Sequence, residues 1–372
     1  MNVLVIGGGA GGIACAIKLK QNNIETEVTV LEHLDEVCKK IYATGNGRCN
    51  MTNINAQHYE VTKSFFDSIG VIMRTDHAGR VYPYSNQAGT VVSAMKSQCQ
   101  KLGVNIVTGC EAQSIAVSDG IYNVYTNNGT YSADVVVLAT GGMSQSALGS
   151  DGSGYRIAKD MGLDVTELSP ALVQLKSPSK NCHALKGVRA KCNVAIETDG
   201  VVVAQDYGEL LFADYGISGI VTMNLSGYIS DKRLRDNLER SVAVIDFVPE
   251  MSLEQLLEHY GTFGTYEGIL PQKLVSIISR QANNDSEKAA QYIKNWRLII
   301  TGTKGFDFAQ ITKGGVDKSQ LLPTGEVVNM PGLYVIGELT DNQFECGGFN
   351  LDFAFSGGVI AADDITNKYD KN

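Results

Sequence analysis

The chain has 372 residues, more than one compact core usually holds, and its 44% hydrophobic content is that of an ordinary globular protein. A formal charge of −9 gives no general attraction to phosphate backbones or anionic membranes, so nucleic-acid binding would need a local basic patch. Eight cysteines (15, 38, 49, 99, 110, 182, 192, 346) and five histidines are scattered without CxxC or metal-knuckle spacing, which argues against a metal site or redox disulfide and for reduced thiols.

The first predicted element is an apolar strand over residues 3–6, running into Gly7-x-Gly9-x-x-Gly12. A helix pattern carrying Ala14, Ile17 and Leu19 follows, then a strand over 28–31 that ends at Glu32. This is a complete βαβ dinucleotide fingerprint. Gly7 permits the tight turn, Gly9 lets backbone approach a pyrophosphate at the helix N-terminus, and Gly12 allows close helix–strand packing. Glu32, twenty residues beyond Gly12, is placed to accept from ribose hydroxyls and disfavours a 2′-phosphate. No basic leader precedes the fingerprint and no apolar run is long enough to span a bilayer, so a soluble cytoplasmic protein without a membrane partner is expected.

Residues 39–53 form a polar, glycine-rich stretch with Lys40, Thr44, Gly45, Gly47, Arg48 and Asn50. Exposed amides, a forked guanidinium and small polar side chains suit an anionic ligand. A helix is predicted over 88–102, then short strands over 104–107, 113–117, 122–126 and 130–132 joined by Asp-Gly and Asn-Asn-Gly turns. A buried strand from Asp134 ends in Thr140-Gly141-Gly142, and Gly149 to Gly154 opens a helix over 155–161.

From about 165 the pattern turns to alternating runs (191–198, 201–205), predicting a β-rich domain. Residues 252–297 return to helical spacing, with core positions expected at Leu253, Leu256, Leu257, Leu274, Ile277, Ile278, Ala289, Ile293 and Trp296. An apolar strand over 332–336 then reaches Gly337-Glu338, and residues 347–351 open a helix through Ala362. The nucleotide domain is therefore predicted to be discontinuous, completed by its C-terminal strand and helix. The expected fold is α/β: a Rossmann-type domain (1–164 and 311–372), an inserted β-rich domain (165–250 and 298–310) and a small helical domain (251–297).

FAD explains more of the chain than a nicotinamide alone. An extended dinucleotide could reach the distant helix start at 347–351, whose positive end would favour a reduced, anionic flavin. At these residues the chain resembles the bacterial BaiN-like, aminoacetone-oxidase-type family of three-domain FAD flavoproteins. The resemblance spans nearly the whole length: the fingerprint, the Thr44 to Asn53 loop, Leu138-Ala-Thr-Gly-Gly, Gly208-Glu-Leu-Leu-Phe212 with Gly216-Ile-Ser-Gly219, Gln310-Ile-Thr-Lys-Gly-Gly-Val316, and Gly347-Gly-Phe-Asn-Leu. Departures from the family pattern are Asn46 for a glycine, Cys346 for a threonine and Phe349 for a tyrosine.

The resemblance implies an oxidoreductase whose FAD is held by Gly7, Gly9, Ala10, Gly12, Glu32, Lys40, Thr44, Gly45, Gly47, Arg48, Asn50, Thr140, Gly141, Gly337, Glu338, Gly348, Asn350 and Leu351. It also places Lys313 to Val316 near the isoalloxazine, with Lys313 the catalytic candidate, and hydride transfer at flavin N5 is the expected chemistry. Substrate is expected between the FAD domain and the β-rich insertion. Lys304, Tyr207, Tyr215 and Tyr228 are further candidates without assigned roles.

A second GxGxxG is absent, so NAD(P)H would bind transiently. Three reactions stay open: an NAD(P)H-fed reductase of a C=C bond in a small molecule, an oxidase of a small amine, or a uridine reductase acting on ribosomal RNA. For the last, Lys176, Lys180, Lys186, Arg189 and Lys191 form a stretch without acids. The sequence assigns no oligomeric state.

Overall fold

Five parallel strands, in the order Leu333–Val335, Val135–Leu138, Asn2–Ile6, Glu27–Glu32 and Asn105–Thr108, form the main sheet of a computed structural model that describes residues 1–236 and 239–369. Burial on both faces explains why Leu333–Val335, Val135–Leu138 and Asn2–Ile6 read as unbroken apolar runs rather than alternating ones. Val3, Val5, Val30 and Val137 face the helices Ala10–Asn22, Ala88–Leu102 and Phe349–Tyr369, sharing a core with Ile17, Val91, Met95 and Phe355. Leu4, Ile6, Leu31, Val136 and Leu138 face the other way, against Ile115, Tyr122 and Val124 of an antiparallel meander (Ala112–Ser118, Ile121–Thr126, Gly129–Ala133). The meander's first turn has positive φ at Asp119 (52°) and Gly120 (77°), as a two-residue type I′ hairpin requires.

The C-terminal helix is longer than expected, running to Tyr369 rather than Ala362. Its extra turns are anchored: Lys368 bridges Glu326 and Asp364 at 2.8 Å each, and the buried Tyr334 donates to Asp364 at 2.7 Å. A smaller antiparallel sheet (Thr52–Asn53, Arg80–Pro83, Met73–Thr75) and the helix Tyr59–Ser68 back the polar loop that follows the fingerprint.

Contacts divide the chain into two compact units, residues 1–168 with 311–372, and residues 169–310. The second unit is built on an antiparallel sheet in the order Trp296–Ile300, Ser241–Asp246, Arg189–Thr198, Val201–Ala213, Gly216–Ser218, Leu175–Lys176 and Gly302–Thr303. Ala190, Cys192, Val194 and Ile196 alternate into its core. The strand expected over 201–205 continues to Ala213. Gly208 lies within this strand facing Val221, whose Cβ is 3.4 Å from where a side chain at 208 would begin.

Helices Leu253–Phe263, Gln272–Gln281 and Ser286–Lys294 add Leu256, Leu274, Ile277, Ile278, Ala289 and Ile293 to this core. The first is started by a reciprocal cap between Ser252 and Gln255.

Candidate functional site

The fingerprint turn is shaped by what its glycines can and cannot accommodate. At Gly7, with φ +106°, a Cβ would meet the Ala139 carbonyl oxygen at 2.5 Å, and at Gly12 one would meet the Gly7 oxygen at 2.0 Å. These two glycines are needed for the fold. Gly9, at the N-cap of the helix Ala10–Asn22, is different: a Cβ there meets nothing within 4 Å. The space in front of Gly9 and Ala10 is open, where the helix presents its unpaired amides.

Glu32 is buried at the end of its strand, with Oε2 accepting from the Gly8 N–H at 2.8 Å and Oε1 from the Leu34 N–H at 2.9 Å. Two backbone donors hold the carboxylate beside the turn; Oε1 also lies 3.3 Å from His33 Nδ1, and Oε2 keeps a further lone pair for a hydroxyl donor.

The loop after the fingerprint runs through left-handed backbone at Gly45 (φ +57°), Asn46 (+56°), Gly47 (+80°) and Cys49 (+60°). Asn46 occupies a conformation open to glycine and asparagine, which accounts for its standing where the family pattern has glycine. Arg48 is exposed and lies over the Tyr82 ring, 4.5 Å from its centroid, with a contact to the Tyr82 hydroxyl at 3.4 Å. Thr44 Oγ1 closes the preceding turn on the Ile41 oxygen at 2.7 Å. Among the described residues seven side-chain polar atoms are buried without a protein partner, and Asn50 Oδ1 and Thr140 Oγ1 are two of them. Such atoms call for a ligand or water, and both belong to segments expected to hold the cofactor.

Lys40 and Glu338 come together as an ion pair at 2.9 Å, and Lys40 also lies 3.3 Å from Ser150 Oγ. The second Glu338 oxygen accepts from the Thr312 N–H at 2.9 Å. Thr312 was not singled out from the sequence, although it stands beside Lys313. Its hydroxyl accepts from the Met143 N–H at 2.7 Å and lies 3.2 Å from Ser144 Oγ. Gly141 (φ +75°) and Gly142 pack into this corner, a Cβ on Gly142 falling 2.4 Å from Thr312 Oγ1.

Lys313 ends the strand Ile311–Lys313, half-buried. The next residues are locked in place: Thr166 N–H donates to the Gly315 oxygen and Val316 N–H to the Leu339 oxygen, both at 2.9 Å. Gly314 and Gly315 have no room for side chains, with backbone 2.2 and 2.5 Å from their would-be Cβ atoms.

The helix Phe349–Tyr369 begins after Gly347 and Gly348, both at positive φ, and Gly337 lies against Ala354 of its second turn. The Asn350 side chain is committed to the preceding loop, exchanging hydrogen bonds with Phe344 (2.9 and 2.8 Å). What the helix offers a ligand at Phe349, Asn350 and Leu351 is therefore backbone amide and its positive end. Asp352 is buried in the same turn and accepts from Thr52 Oγ1 at 2.6 Å.

Other candidates lie in the second unit. Tyr207 donates to Glu250 at 2.7 Å, and Lys304 sits over the rings of Phe308 (4.0 Å) and Tyr215 (4.7 Å); Tyr228 is exposed. In the basic stretch, Lys186 pairs with Asp214 at 2.7 Å, Arg189 with Glu209 at 2.6 Å, and Lys191 lies over the Tyr207 ring. All eight cysteines are unbridged, and burial pushes the thiols of Cys15, Cys49, Cys99 and Cys192 up to about 12, far from thiolate chemistry at neutral pH. Among the described residues no acid, histidine and cysteine cluster could hold a metal ion, and no helix is long and apolar enough to cross a membrane.

Residues 1–364 match the model of the HI0933-like protein Rossmann domain. The chain is 35% identical to the 3-dehydro-bile acid delta(4,6)-reductase of Clostridium scindens, covering 96% of this chain and 97% of that protein. It is 26% identical to the ribosomal RNA dihydrouridine synthase of Escherichia coli K12, covering 98% of both. In fold it is similar to a 3-ketosteroid delta1-dehydrogenase from Sterolibacterium denitrificans, with a TM-score of 0.56 at 12% identity over 98% of this chain and 99% of that one.

Proposed function

Because this chain belongs to the HI0933-like Rossmann family of FAD-dependent oxidoreductases, we propose that it is an NAD(P)H-fed reductase of a conjugated carbon–carbon double bond in a small molecule. The observation that carries the cofactor assignment is the open face at Gly9; the buried, unpartnered Asn50 Oδ1 and Thr140 Oγ1, on two other segments expected to hold the cofactor, support it. The acceptor class is supported by the 35% identical relative, a reductase by name.

FAD, when bound, supplies the two-electron hydride chemistry. The chain's own residues then have separable duties. The amides at Gly9 and Ala10 bind the pyrophosphate, with Gly7 and Gly12 shaping the turn, and Glu32 orients the ribose. Thr44, Gly45, Gly47, Arg48 and Asn50 wrap the phosphates. Thr140, Gly141, the Lys40–Glu338 pair and Gly337 line the middle of the cradle, while Gly348, Asn350 and Leu351 present backbone to the flavin end. Lys313 is the candidate for handling substrate, on a segment too tightly packed to shift.

The working division keeps the FAD domain at 1–164 with 311–372, the β-rich domain at 165–250 with 298–310 and the helical domain at 251–297. Unbridged cysteines support a cytoplasmic setting.

The test is to mix the flavin-loaded protein anaerobically with NADH, then NADPH, and follow flavin absorbance. Bleaching, followed by recovery on adding a conjugated enone, is expected. Bound flavin that neither nicotinamide reduces would favour an oxidase of small amines, and protein that binds no flavin would overturn the assignment altogether. The RNA alternative has support in a relative's name. Against it, Lys186 and Arg189 are already neutralised by acids on the same unit. A gel shift with ribosomal RNA at about 0.15 M salt, where phosphate contacts are screened, should therefore show no complex.

A further inference from the structure

Asp352 has no part in the duties above, yet it is a carboxyl 2% exposed in the first turn of the helix whose positive end faces the flavin in the proposed function. An acid in a first turn usually serves its own helix by capping the free amides. This one is turned elsewhere. Its donors are Thr52 Oγ1 at 2.6 Å, with Thr62 and His58 also contributing, and all three lie outside the helix.

A cavity of about 30 Å³, room for one water, lies against it, lined also by His58, Phe344, Phe349 and Phe353. At 2% exposure a charge on this carboxyl would be screened less by water than one on a surface carboxylate. Burial pushes this carboxyl above the ordinary aspartate value, and the Thr52, Thr62 and His58 donors oppose that rise. The terminal helix thus offers its amides with an acidic side chain buried in its first turn.

We propose that Asp352 is a positioning residue for the redox chemistry, competing with the reduced flavin for the positive helix end and so keeping the bound cofactor's reduction potential low. A low potential suits a flavin that must pass electrons to a carbon–carbon double bond, and it would make the reduced form a stronger donor than the helix end alone allows. The inference rests on FAD binding as proposed, and it names the element through which that site is tuned.

The experiment is a reductive titration of the FAD-loaded protein against a reference dye, comparing wild type with Asp352→Asn, Asp352→Ser and the control Asp363→Asn. Asp363 is a half-buried acid three turns along the same helix, paired with Lys18 at 3.3 Å and accepting from Asn22 at 2.8 Å. Both Asp352 variants should bind reduced flavin about tenfold more tightly relative to oxidised flavin, raising the midpoint by about 30 mV for a two-electron couple, while Asp363→Asn stays with wild type. Stoichiometric flavin with an unchanged midpoint in both Asp352 variants would overturn the inference and leave the cofactor assignment standing. Failure of wild type itself to bind flavin would overturn both. Failure of both variants to fold would mean that the charge serves the fold, which also overturns the tuning role.

Discussion

Gly9 and Gly12 differ by three positions and by opposite physical demands. Gly9→Ala places a methyl in open space, so its melting temperature should stay within a degree or two of wild type while flavin content falls sharply. Gly12→Ala drives a Cβ to 2.0 Å from the Gly7 oxygen, and roughly 1–3 kcal/mol of stability should be lost on overpacking. Thermal melts paired with flavin quantitation of both variants check this.

Asp352→Asn should be at least as stable as wild type at pH 7. Its folded-state pKa is raised, mainly by burial, so its favourable contribution holds below the ordinary value near 4 and is lost as pH rises through the folded value. The advantage of the variant should accordingly shrink as the pH of the melt is lowered toward 4. At this scale the sequence was informative where one residue type has one mechanical use. The fingerprint glycines and Glu32 could be placed from spacing alone. Asn350 could not, because its side chain answers to Phe344, and nothing local distinguishes an amide facing a loop from one facing a ligand.

The terminal helix shows how one element serves both the fold and the site. It packs on the fingerprint helix through Gly358, where a Cβ would lie 2.2 Å from the Gly11 oxygen. Gly358→Val should lower stability by about 2–3 kcal/mol and reduce flavin retention with it, since both helix starts frame the proposed cradle. The far end is held electrostatically. Burial raises Glu326 and Asp364, and hydrogen bonds from Lys368, Tyr369 and Tyr334 outweigh it, leaving both below the usual carboxylate range.

Because those shifts are downward, their stabilisation is present above pH 4–5 and is lost as pH falls through the folded values. Lys368→Met should cost about 1–2 kcal/mol at pH 7, the buried pair value discounted for a partly exposed lysine, and much less near pH 3. Denaturant melts at the two pH values decide it. The helix itself was legible as far as Ala362. Its last two turns were not, because their apolar content is low and the acids and base that hold them pair with strand and loop residues about 30 to 40 positions away.

At the scale of the whole molecule, the second unit carries its own core around Phe212, Trp296 and Leu256, and its first and last segments meet where Gln310 N–H donates to the Leu172 oxygen at 3.2 Å. Residues 169–310 expressed alone should fold and melt in a single cooperative transition by circular dichroism; a gradual, non-cooperative melt would show that the unit depends on the rest of the chain. The change from parallel to antiparallel architecture was legible as a change of period, from continuous apolar runs to alternation. Strand order was not. Trp296–Ile300 lies at the sheet edge beside Ser241–Asp246, with three helices intervening in sequence, and periodicity says nothing about which strand a helical excursion returns to. The basic stretch shows the same limit, since Asp214 and Glu209 pair with Lys186 and Arg189 from the neighbouring strand and its turn, contacts that the run of bases does not announce.

The run of left-handed backbone at Gly45, Asn46, Gly47 and Cys49 bears on kinetics as well as shape. Those dihedrals are fixed when the chain folds, so the loop has little disorder left to lose when a ligand arrives. Dinucleotide capture should then be limited by encounter and dehydration rather than by a slow rearrangement, giving a single concentration-linear association phase.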